Sequence, residues 1–133
     1  MCLYNKPYSV RHLLEGRNKT IVGYKVLTNN MISPYLHHPF VQGENRSNSR
    51  KTQASLRYER IDKGIHVFTT LKAAQEEISN LRKEPCYLHK IKYKILQVIC
   101  KKSDLIGASL GFGIDEAVFT KIYISKNEWA KHE

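Results

Sequence analysis

The chain is short of most things that would name a reaction. It has three cysteines in 133 residues, an odd number and too few for a disulfide scaffold. It has one tryptophan and four prolines. No apolar run approaches the roughly 18 residues that span a bilayer, which excludes an integral helical membrane protein. The first residues lack the basic, apolar and small-residue regions of a secretory signal, so a cytoplasmic protein with free thiols is expected. Cys86 and Cys100 stand 14 apart with no paired Cys or His motif, and His37 and His38 are adjacent, so they cannot share a strand face. Neither spacing suits structural zinc, and neither a metal nor a cofactor is implied.

What is abundant is positive charge. Twenty-two Lys and Arg face 12 Asp and Glu, a net charge of +10. The excess concentrates between residues 82 and 102, which hold seven cations and one Glu. A basic surface raises the local concentration of anionic ligands. The expected partners are a nucleotide, a nucleic acid or an acidic protein surface. Charge for solubility alone is the plainer alternative.

Length argues for a single domain over 1–133. Residues 1–19 read as a polar leader with one helical turn at Val10, Leu13 and Leu14. Thr20–Thr28, rich in β-branched residues, reads as a strand. Pro34 and Pro39 exclude a helix over Met31–Phe40. Residues 42–55 read as a polar, mobile loop, and residues 56–61 as a weak strand. Gly64–Phe68 is a short strand, Thr69 and Thr70 supply N-cap oxygens, and Leu71, Ala74, Ile78 and Leu81 recur at helical spacing over about 70–84. Lys90–Cys100 alternates and then turns apolar, as a strand does on entering a core. Residues 101–115 read as a glycine-containing loop, residues 117–125 as the last strand and residues 127–133 as a tail. The expected architecture is α+β: a four- to five-stranded mixed or antiparallel sheet with one main helix on one face. An unpaired edge in so small a sheet makes a homodimer one expected assembly.

Several constellations are candidates for chemistry. Removal of Met1 would leave the α-amine of Cys2 beside its thiol, the arrangement of an N-terminal nucleophile. In Gly64–Phe68 the alternation sets Ile65 and Val67 on one face and His66 and Phe68 on the other. With Ile65 and Val67 inward, His66 faces a ligand or solvent, and a pairing with Glu116 across the sheet is open to it. Tyr35, His37, His38 and Phe40, stiffened by prolines, form either a stacking platform for bases or a clasp on the core. Gly107–Gly113 lacks the lysine of a P-loop and the spacing of a dinucleotide fingerprint. Period two puts Lys90, Lys92 and Lys94 on one strand face, an anion site or a protected edge.

Met1–Tyr4, Gly23–Val26, Ser33–Tyr35, Gly64–Ala74, Val98–Cys100 and Ala117–Ile124 fall in an order that resembles a family of small uncharacterised proteins of bacteriophages and their bacterial hosts. That resemblance covers most of the chain and implies one compact domain, without an assigned activity, in a host-takeover or anti-defence setting. Residues 101–107 depart from its usual Pro-Lys-Gly-like step.

The leading expectation is a small basic binding protein for a phosphate-bearing ligand. Lys90, Lys92, Lys94, Arg50, Arg57, Arg60 and His66 would bear the charge, and Tyr35 and Tyr58 would stack. Two alternatives stand beside it. One is an enzyme acting on a nucleotide through His66 or Cys2. The other is a protein inhibitor docking an acidic host surface.

Overall fold

The computed structural model describes residues 3–34, 36–84 and 90–133. Tyr35 and residues 85–89 lie outside them, as do Met1 and Cys2, so the readings of Cys2, Tyr35 and Cys86 carry no structural account. Among the described residues nine strands and three α-helices follow in chain order: β1 (Leu3–Tyr4), α1 (Pro7–Leu14), β2 (Thr20–Thr28), β3 (Gly43–Arg46), β4 (Arg60–Ile61), β5 (Ile65–Phe68), α2 (Leu71–Arg82), β6 (Tyr93–Lys101), β7 (Leu105–Gly111), β8 (Ile114–Phe119), β9 (Lys121–Ile124) and α3 (Lys126–His132). The fold is α+β, with a seven-stranded antiparallel sheet in the order β3-β9-β6-β2-β5-β8-β7 and a two-stranded sheet of β1 and β4.

One connection shapes the sheet. Only Thr120 separates β8 from β9, yet the two strands stand four positions apart. Flat, that separation is about 19 Å at roughly 4.8 Å per strand. A single linking residue reaches about 7 Å. The sheet therefore rolls round, and β8 and β9 are one bent strand serving both ends. Thr120 stitches the bend. Its amide donates to the Asp104 carbonyl at 2.8 Å and its carbonyl accepts from the Ser47 amide at 2.9 Å. Inside the roll lies the main core, where Leu27, Val67, Leu96, Val98, Phe119 and Ile122 are buried. Outside it, α2 covers Val26 with Ala74 and Leu81. The α2 N-cap is Thr70, whose side chain accepts from the Ala73 amide at 3.2 Å. Ala74 and Leu81 face the sheet as their spacing requires, whereas Leu71 is exposed.

The strand count exceeds the four or five expected, for local reasons. Residues 101–115 are not a loop. After a short 3-10 turn, β7 and β8 form a hairpin whose tip carries Gly111, Phe112 and Gly113 at positive φ. Gly107 lies within β7, because a Cβ there would come 2.8 Å from the Asn5 side-chain oxygen. That asparagine is fully buried. It accepts from the Ala108 amide at 2.8 Å and donates to the carbonyls of Ser55 and Arg57, which fastens the stretch before β4. Gly43–Arg46, read as polar loop, is an edge strand on β9, with Asn45 buried and capping the Val41 amide at 2.9 Å. Residues 56–59 are not strand, and only Arg60 and Ile61 pair, with β1. The tail is α3, capped by Ser125.

Candidate active site

Strand β2 has two different edges. Along β6 it registers in nine consecutive pairs, Thr20–Lys101 to Thr28–Tyr93. Along β5 it registers at one pair, Tyr24–Phe68. Beyond that pair the strands part, and a cleft of about 360 Å³ opens between them. Its lining includes Lys25, Val26, His66 and Phe68 from the parted strands, Glu116 from β8 and Glu77 from α2. The Ser33–Phe40 segment contributes Ser33, Pro34, Leu36, His38 and Phe40, and the rim carries Arg46, Asp62 and Lys63.

His66 and Glu116 meet as the alternation of β5 allowed. Val118 stands opposite His66 and Glu116 opposite Phe68, so the four share a face and the carboxylate lies on the diagonal. His66 Nδ1 lies 3.0 Å from Glu116 Oε1, and both side chains are nearly buried, at 10% and 13% exposure. A carboxylate accepts, so Nδ1 is the donor and the neutral ring keeps its lone pair on Nε2. Nε2 is buried and has no hydrogen-bond partner among the described residues. Gly64 sets this strand's start. Its φ is +137°, and a Cβ would come 2.3 Å from Val118 Cγ1.

Lys25 occupies the parting itself. It stands opposite Leu96 on β6, so it shares the core-facing side of β2 with Leu27. Its Nζ donates to the His66 carbonyl at 2.7 Å, in place of the ladder amide that a closed β2–β5 pairing would supply. The Phe40 ring lies 5.4 Å from Nζ. Burial pulls the Lys25 amine down to about 8, against the Glu116 and Glu77 carboxylates, which favour its charge. At the rim Arg46 pairs with Glu44 at 2.6 Å, which holds the Glu44 carboxyl below its ordinary range.

The other expected binding residues do not gather here. The lysine row is not a strand face. Lys90 and Lys92 precede β6 and are exposed, and only Lys94 lies in the strand. Lys94 donates to the His132 carbonyl at the end of α3, where a cation also answers the helix dipole. Arg50, Arg57 and Tyr58 are exposed outside the cleft lining, and Arg60 pairs with Asp62 at 3.0 Å. Cys100 is buried and its thiol is pushed up to about 12 by burial, an inert packing role. Among the described residues no group of three His, Cys, Asp or Glu is placed to hold a metal ion. None of their helices is long and apolar enough to cross a membrane.

Lys25 and Glu77 escaped the sequence reading. A signal for Lys25 was present, since it is the only Lys, Arg, Asp or Glu between residues 21 and 40. No protein family, curated protein or solved structure matches the chain.

Proposed function

We propose that the protein is an enzyme that performs acid–base chemistry on a small anionic molecule, a nucleotide by preference, bound in this cleft. The observation that carries the reading is the His66–Glu116 pair, its Nε2 buried and unpartnered at the lining of this cleft. A buried polar atom left unpaired costs about 1–3 kcal/mol. Functional sites are where such costs are kept. Glu116 fixes the ring tautomer and orientation, Nε2 takes a proton from an attacking water or hydroxyl, and the carboxylate then stabilises the imidazolium. Lys25, Arg46 and Lys63 offer cations to a phosphate, and Phe40 and Phe68 offer apolar walls. The phage-like motif order supports a takeover or anti-defence setting.

A sequestering binder remains the second reading, favoured by the proline-stiffened Ser33–Phe40 wall, which suits a stacked base. Incubation with a panel of nucleotides, followed by mass spectrometry of bound and released molecules, separates the two. The enzyme reading expects a product, and His66→Ala lowers its rate by about 10²–10⁴ while affinity changes little. A nucleotide held intact at fixed stoichiometry supports the binder. A protein that neither binds nor converts any member contradicts both.

A further inference from the structure

Lys25 is more than a cation beside a base. A lysine usually keeps its charge in water on a flexible stem. This one lies on the core side of β2, tied to a backbone carbonyl and set against an aromatic ring within a cleft of ligand size. A neutral amine has two N–H bonds and a lone pair. One N–H satisfies the His66 carbonyl, and the lone pair is left for an electrophile in the cleft.

We propose that Lys25 is an imine-forming residue, whose amine condenses with the carbonyl carbon of a small anionic aldehyde or ketone held in the cleft. The inference deepens the acid–base reading by adding a carbonyl group to the anionic substrate, and it rests on the same cleft. The nitrogen lone pair forms the new C–N bond as the carbonyl π pair moves to oxygen. One proton passes from nitrogen to that oxygen, giving a carbinolamine. The second amine proton, carried to the hydroxyl, lets it leave as water, and the electron pair left on nitrogen closes the C=N bond. Amine and carbonyl become imine and water, with no oxidant or reductant consumed. His66 and Glu116, lining the same cleft, are the groups that take and return these protons. Burial of the amine favours the step, because its pKa of about 8 leaves a far larger neutral fraction near neutral pH than an exposed lysine has.

The chain has fifteen lysines, so fourteen serve as internal controls. The test treats the wild-type protein with glyoxylate, a small anionic aldehyde, and cyanoborohydride, and maps the reduced adducts by peptide mass spectrometry. Lys25 is expected to label at least roughly tenfold faster than any other lysine near neutral pH, after discounting its neutral-amine advantage for restricted access. Its rate levels off above about pH 8, while the surface lysines keep gaining. Label spread over surface lysines, with Lys25 at or below their rate, overturns the inference. The same trapping on His66→Ala keeps the two claims apart. Slower trapping at Lys25 supports both. Trapping at the wild-type rate leaves Lys25 as the imine residue and contradicts His66 as its proton carrier. Nucleotide turnover with Lys25 unlabelled overturns the imine alone.

Discussion

The two edges of β2 make the instructive contrast. The β6 edge is closed along nine pairs, and behind it Leu27, Leu96, Val98 and Cys100 are wholly buried. The β5 edge closes at one pair and then gives way to charge: Lys25, His66, Glu116 and Glu77. A strand pair normally satisfies its backbone groups within the ladder. Here one ladder position is filled by a lysine side chain, so the fold holds an ionisable group where a strand would otherwise close. Buried apolar packing concentrates on one edge of the strand and the proposed chemistry on the other, with the rigid edge positioning the open one.

The largest effects should separate the edges. His66→Ala should lower turnover by about 10²–10⁴ and cost about 1–3 kcal/mol of unfolding free energy, because it leaves the nearly buried Glu116 carboxylate without its partner. Leu96→Ala, on the closed edge, should spare turnover. It removes a fully buried side chain and should cost about 2–5 kcal/mol in denaturant unfolding. Equal turnover losses at the two positions would erase the contrast.

A smaller effect sharpens it through pH. Folding lowers the Lys25 amine from its ordinary 10.5 to about 8. Between these values the unfolded chain holds the proton and the folded chain does not, so this residue makes stability rise with pH across that window. Below about 8 both states are charged, and the full cost of burying the cation is present. Lys25→Met removes the titration. The stability of wild type relative to Lys25→Met should therefore climb by up to about 3 kcal/mol from pH 8 to 10.5, measured as paired urea midpoints in one buffer series. A flat difference would mean that Lys25 stays as solvated as a surface lysine.

The elements that dominate the contrast were legible to different degrees. Strand β2, strand β5 and helix α2 follow from β-branched runs, alternation and helical spacing, and they formed close to where those patterns lie. The alternation of β5 set His66 opposite its core face, and a pairing with Glu116 was one arrangement it allowed. The partial register of β2 on β5 was not legible, since it depends on how the whole sheet rolls and not on either strand's residues. The hairpin of β7 and β8 was hidden by its glycines. Gly107 reads as a breaker until Asn5, a hundred residues away, is seen to need its space. The period-two lysines misled in the opposite way. Alternation at Lys90, Lys92 and Lys94 suggested a strand, but β6 begins at Tyr93, where pairing with Thr28 first becomes available.

The most direct test of a base presented by the open edge is the protonation of the His66 ring itself, read from imidazole nitrogen shifts in an isotope-labelled NMR sample above its titration. The account expects a proton on Nδ1, held by Glu116, and a lone pair on Nε2, with that preference weakened in Glu116→Gln. A proton on Nε2 in the wild-type protein, with Nδ1 bare beside the carboxylate, would contradict it.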